Sequence, residues 1–142
     1  LARQRTSLRL LPTLDARELA AIFAGGAVGT ALRAGLAQAF PHSPTSWPWP
    51  TFGVNILAAF LLGYAVTRLQ ERLPVSSYRR PLLGTGLCGG LSTFSTVQVE
   101  LVTMLDAHAY GLAAGYASAS VVVGYACCYT ATALVRRSWT RP

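Results

Sequence analysis

The chain has 142 residues, enough for one compact unit, and its 52% hydrophobic content is high for a soluble domain. All 12 basic residues are arginine; they give a formal net charge of +7 but flank apolar runs instead of interleaving with them. That pattern is a membrane-topology signal and argues against a nucleic-acid surface.

Residues 1–18 form an N-terminal arm with Arg3, Arg5, Arg9 and Arg17, read as a disordered or interfacial lead-in. No charged-apolar-small cleavage pattern precedes the first apolar run. A spanning helix needs about 20 apolar residues. Four runs meet that need: 19–40, with one charge at Arg33; 51–69, interrupted by Asn55; 82–105; and 110–135. They predict an all-α integral membrane domain of four transmembrane helices over 19–135, with a cytoplasmic tail at 136–142. The connections are short, so chain neighbours are expected to pack antiparallel. Gly25 with Gly29, Gly86 with Gly90, and Gly111 with Gly115 have the spacing that lets backbones approach, which drives helix association in lipid. Trp47 and Trp49 suit one membrane interface, Tyr78 and Trp139 the other.

The third run contains Gly86-Leu87-Cys88-Gly89-Gly90-Leu91-Ser92-Thr93-Phe94-Ser95-Thr96. Three glycines followed by four hydroxyl residues predict a broken helix at membrane depth. Lipid offers no hydrogen-bond partners, so such a break belongs where its freed groups are used. Carbonyls there can hold a cation, and hydroxyls offer donors to an anion. The stretch therefore points to an ion pathway; a glycine kink without an ion is the plain alternative.

With four spans, both termini and the second connection share a side, and that side holds every arginine except Arg33. The positive-inside rule then puts both termini in the cytoplasm of a cell-membrane protein. Cys88, Cys127 and Cys128 have no metal-site spacing and read as small, reduced packing residues. His42 and His108 lie in short connections with no carboxylate partner nearby in sequence. No nucleophile–base pair or metal set emerges, so no enzyme is expected.

An arginine in the first run, an asparagine in the second and the hydroxyl-rich break in the third together resemble the fluoride channel family known as Fluc or CrcB. The resemblance covers roughly residues 22–125. Gly25-Gly26-Ala27-Val28-Gly29-Thr30-Ala31-Leu32-Arg33 is similar to the family's GGxxGxxxR pattern. Thr51-Phe52-Gly53-Val54-Asn55 resembles its segment ending in a pore asparagine, and Gly86–Thr96 with Glu100 its most specific signature.

The resemblance implies an antiparallel dimer with two fluoride pores at the subunit interface and a central structural Na+. The backbone carbonyls of Gly89 and Ser92 would bind that ion together with the partner's. The fluoride path would use Asn55, Phe94, Ser95 and Thr96, with Thr51 one turn before Asn55 on the same face. Phe94 would present its positive ring edge to the anion. Tyr116 and Ser120, four apart, would form a polar track in the fourth span. Arg33 and Glu100 would sit at vestibules. Plainer readings stand beside these: packing for Phe94, an interhelical hydrogen bond for Asn55, snorkelling for Arg33, a solvated helix end for Glu100.

Two features depart from the family pattern. A second phenylalanine, common three residues after the first, is here Val97. The arginine bias is also too strong for a subunit that inserts both ways round. The chain is therefore expected to pair with an oppositely oriented homologue rather than with itself. Two other functions compete with a conducting fluoride channel: a non-conducting partner subunit, and a four-span proton-coupled drug exporter. The exporter needs an intramembrane carboxylate, and the interiors of the predicted spans have none.

Overall fold

The computed structural model describes residues 15–71 and 78–137; Arg3, Arg5, Arg9, Arg72, Trp139 and Arg141 lie outside the described residues. Every element among the described residues is helical. Helix α1 (Ala16–Ala39) starts at Asp15, whose side chain accepts from the Arg17 amide at 3.0 Å and caps the free end. Helix α2 (Trp49–Glu71) has Pro50 in its first turn, where a missing amide hydrogen costs nothing. A π-helical stretch, Pro81–Cys88, runs directly into one α-helical turn, Gly89–Leu91; together they are called α3. Helices α4 (Phe94–Asp106) and α5 (Tyr110–Arg137) follow, joined by a turn in which His108 adopts φ 60°.

Helix α1, Trp49–Leu69 of α2, and α5 are each long and apolar enough to cross a membrane. The remaining apolar run is divided between α3 and α4. Ser92 (ψ 154°) and Thr93 (φ −149°, ψ 118°) are extended and separate the two pieces. The break thus falls inside the hydroxyl-rich stretch.

Packing follows the small residues rather than the order of the chain. Gly25 and Gly29 of α1 lie against Gly86 and Gly90 of α3. A Cβ on Gly29 would fall on the Leu87 carbonyl oxygen, and one on Gly86 would lie 2.7 Å from the Ile22 oxygen. In the second large interface, a Cβ on Gly63 of α2 would lie 2.6 Å from the Cys128 oxygen of α5. Nearby, Thr67 donates to Thr132 at 3.4 Å. Residue numbers rise together along both interfaces, so α1 with α3 and α2 with α5 run parallel. Chain neighbours α1 and α2 touch far less than either of these pairs. Close backbone approach needs small residues at the contact, and Gly25, Gly29, Gly86 and Gly90 supply them between α1 and α3, as Gly63 does between α2 and α5. Gly111 faces open space and Gly115 meets only the Trp47 ring at 4.0 Å, so the third spaced pair is no helix contact within this chain.

Two buried clusters flank the break. Val97, Met104, Ala113 and Tyr116 form one; Val54, Ala58 and Leu91 form the other. Trp47 packs edge-on against Phe52 (5.3 Å) and Tyr116 (5.5 Å), so it belongs to the first cluster and not to an interface belt. Trp49 is exposed, as an interface residue should be. At the other end Arg17 donates to the Tyr78 hydroxyl at 3.4 Å, tying the start of α1 to the approach to α3. All three cysteines are free thiols, Cys88 buried and the others half-buried.

Candidate functional site

The helix break is held open by one side chain. The Asn55 amide donates from Nδ2 to the Thr93 carbonyl at 3.1 Å, and its Oδ1 accepts from the Thr93 amide at 2.8 Å. An asparagine side chain matches a backbone peptide group, so it can satisfy both halves of an extended residue. The interhelical hydrogen bond that was the plainer reading of Asn55 is therefore real, but its partner is the break itself. Thr93 also caps α4, accepting from the Thr96 amide at 3.2 Å.

Diverting the Thr93 amide to Asn55 takes it away from Gly89, the carbonyl that a continuing α-helix would give it. Ser92 still donates to the Cys88 carbonyl at 3.0 Å, which closes the last turn of α3. Gly90 is engaged differently: its carbonyl accepts from Arg33 Nε at 3.4 Å and Thr30 Oγ1 at 3.5 Å. A cation at a helix C-terminus is favourable, and this contact anchors Arg33 against protein rather than at a distant interface. The snorkelling reading of Arg33 is thereby set aside.

An open groove of about 700 Å³ runs past the break. Asn55, Gly89, Ser92, Phe94 and Ser120 line it, together with Thr85 and Gln98. Five candidate residues, from α2, α3, α4, α5 and the break itself, therefore share one surface. Phe94 is 77% exposed there, and the buried Ser120 hydroxyl has no hydrogen-bond partner within the described residues. Val97 lines the same groove while its side chain packs in the Tyr116 cluster.

The other candidates gather behind the groove. Glu100 is 6% exposed; Thr51 Oγ1 donates to its Oε1, and the fully buried Tyr116 donates to its Oε2 at 2.7 Å. His42 Nε2 lies 3.6 Å from Oε1. The solvated-end reading of Glu100 is thus corrected: donors from α2 and α5 draw the carboxylate inside, where a carboxylate without partners would be costly. Thr51 gives its hydroxyl hydrogen to Glu100 rather than to the groove. A small cavity of about 20 Å³ joins Arg33, Thr51, Thr93 and Thr96. Ser95 is exposed, its hydroxyl 3.3 Å from Thr93 Oγ1.

Sequence reasoning missed Thr93 and His42 as site residues. Thr93 had a signal, being a hydroxyl residue three before another at the start of a helical run. His42 had none, because its carboxylate partner is distant in sequence and is brought near only by packing.

Residues 20–132 match the family described as CrcB-like protein, Camphor Resistance (CrcB). The chain is 63% identical over 123 residues to fluoride-specific ion channel FluC 1 of Mycolicibacterium paratuberculosis, covering 87% of this chain and 93% of that one. It is 58% identical over 127 residues to FluC 1 of Mycobacterium bovis, covering 89% and 96%. Fluoride-specific ion channel FluC 2 of Nocardia farcinica is 37% identical over 134 residues, again covering 89% and 96%. With its membrane-length helices and a family match across all five helices, this chain is a multi-pass membrane protein that belongs to the CrcB family.

Proposed function

We propose that this chain is a fluoride-selective channel subunit that passively exports cytoplasmic fluoride and so limits its toxicity. The observation that carries the reading is the break at Ser92–Thr93, held by Asn55 and opening onto a groove lined by Phe94 and Ser120. Relatives named as fluoride-specific ion channels support it over most of the chain. Hydrogen fluoride crosses lipid as a neutral acid and ionises inside, so an anion leak suffices for relief and no catalysis is required.

The groove offers an anion weak, spaced contacts instead of one deep site, which conduction requires. Asn55 uses one amide hydrogen on Thr93 and has a second to offer. The Ser120 hydroxyl is a further donor, and the exposed Phe94 ring edge adds partial positive charge. The N-terminal end of α4 faces the same space with its positive dipole end. Thr96 and Arg33, at the small cavity beyond Thr93, draw anions toward the break.

The reading includes an antiparallel dimer, with α3 and α4 together making a fourth crossing and both termini cytoplasmic. A structural Na+ fits the residues present. Gly89 is deprived of its ladder amide, and Gly89 and Ser92 both line the open groove, giving oxygen ligands suited to a hard cation at a helix break. Bound there with the partner's carbonyls, the ion would lock the two breaks together. The arginine bias makes an oppositely oriented homologue the partner.

One observation favours a second reading, a non-conducting partner subunit: Val97 is committed to the core, leaving Phe94 as the aromatic edge at the break. The drug-exporter reading has less support. Packing does bury a carboxylate, Glu100, but Thr51 and Tyr116 occupy both of its oxygens.

Growth of a fluoride-sensitive bacterium lacking its own exporter tests the function. Expression of the chain with an oppositely biased homologue should restore growth in fluoride. No rescue, with both proteins present in the membrane, would overturn the proposal.

A further inference from the structure

We infer that His42 is a positioning residue at the outer mouth that makes fluoride conduction depend on external pH. The inference rests on the channel reading and goes beyond it. His42 lies in the α1–α2 connection, its side chain 30% exposed, with Nε2 3.6 Å from the Glu100 carboxylate. Glu100 in turn holds Thr51 and Tyr116, so a change at His42 reaches α2, α4 and α5 through one group. An open pocket of about 590 Å³, lined by His42, Ser43, Ser46 and Trp47, gives water and protons access to the imidazole.

The groups facing Glu100 are few. His42 comes from the connection, Thr51 from α2 and Tyr116 from α5. Arg33 of α1 stands beyond Thr51, across the small cavity. His108 lies in the α4–α5 turn, stacked on Tyr110, with Nδ1 3.0 Å from the Asp106 carbonyl oxygen. Histidine is the side chain whose ordinary charge change falls between about pH 5 and 8. With the imidazole neutral, the buried carboxylate behind the groove repels fluoride at a distance. With the imidazole protonated, the two charges offset and the repulsion is relieved. Protonation also tightens the contact that keeps Glu100 turned toward Thr51 and Tyr116. Acid outside is the condition in which hydrogen fluoride enters fastest, so the response has the useful sign.

The test is fluoride current in planar bilayers containing the chain with its conducting partner, with the pH on the side of the outer mouth stepped from 8 down to 5.5 and the other side held constant. Wild type should gain about threefold or more as the pH falls, as expected for removing one like charge from an anion path. His42→Gln should hold the low, pH-independent level, while His108→Gln should keep the wild-type profile. Fluorescence of the purified chain carrying Trp49→Phe and Trp139→Phe reads Trp47 alone and is independent of conduction, since Trp47 lines the His42 pocket and packs on Tyr116. A wild-type current flat across the range, or a His42→Gln profile like wild type, would overturn the inference. A fluorescence titration abolished by His42→Gln, in bilayers silent at every pH, would support the His42–Glu100 coupling and sink the channel reading instead.

Discussion

Asn55 and Thr93 pair as one peptide group pairs with another: the side-chain amide donates to the Thr93 carbonyl at 3.1 Å and accepts its N–H at 2.8 Å. A single side chain on α2 thereby replaces the backbone bonds that an unbroken helix would have made. Everything proposed for the groove depends on that replacement.

Asn55→Ala removes both bonds and leaves the Thr93 peptide without them. The expected loss is about 1–3 kcal/mol, seen as a lower midpoint of thermal unfolding in detergent. Asn55→Asp keeps an acceptor but cannot donate, and it puts negative charge beside the anion route. It should cut fluoride efflux more than tenfold, a larger functional loss than its stability loss.

Gly29→Ala puts a methyl group onto the Leu87 carbonyl, which is backbone and cannot swing aside. Helices α1 and α3 must separate, and the yield of folded protein should fall steeply. Gly35→Ala, with nothing within 4 Å of the added carbon, should be neutral or slightly stabilising through its helix propensity. Comparing the two by size-exclusion profile and unfolding midpoint separates close approach from glycine content.

Tyr116→Phe removes a buried donor from Glu100 without changing shape. The carboxylate loses one of its partners, at a cost of about 1–3 kcal/mol. Thr51→Val should act similarly from the other oxygen. A double-mutant cycle on unfolding midpoints reads how far the two bonds to the one carboxylate depend on each other, and the double variant should depart from the sum of the single losses.

Exchange of Na+ for a large organic cation during purification should lower both dimer content and fluoride efflux, and Na+ should restore them. Retention of both without Na+ would remove the sodium from the account. Gly89→Ala has room for its methyl group and should fold, so any loss of efflux it shows reports on the groove rather than on folding.

The helices and the place of the break were legible because both are local. Apolar runs mark α1, α2 and α5, and glycine followed by hydroxyl residues marks Ser92–Thr93. Pairing of the helices was legible only in part. Spacing singled out Gly25, Gly29, Gly86 and Gly90, but nothing in it says that α1 meets α3 or that Gly111 faces open space. Glu100 could not be placed from sequence, since its burial depends on donors from α2 and α5. His42 was invisible for the same reason: its role exists only once α4 has been packed beside the α1–α2 connection.

The most direct measurement is fluoride efflux from liposomes, followed with a fluoride electrode beside a chloride control. Vesicles would contain this chain together with an oppositely oriented homologue, and this chain alone. The account predicts fast efflux of fluoride with chloride retained when both subunits are present, and its loss when Asn55→Asp is introduced in this chain. Vesicles that hold fluoride in both preparations, or release chloride equally, would contradict it.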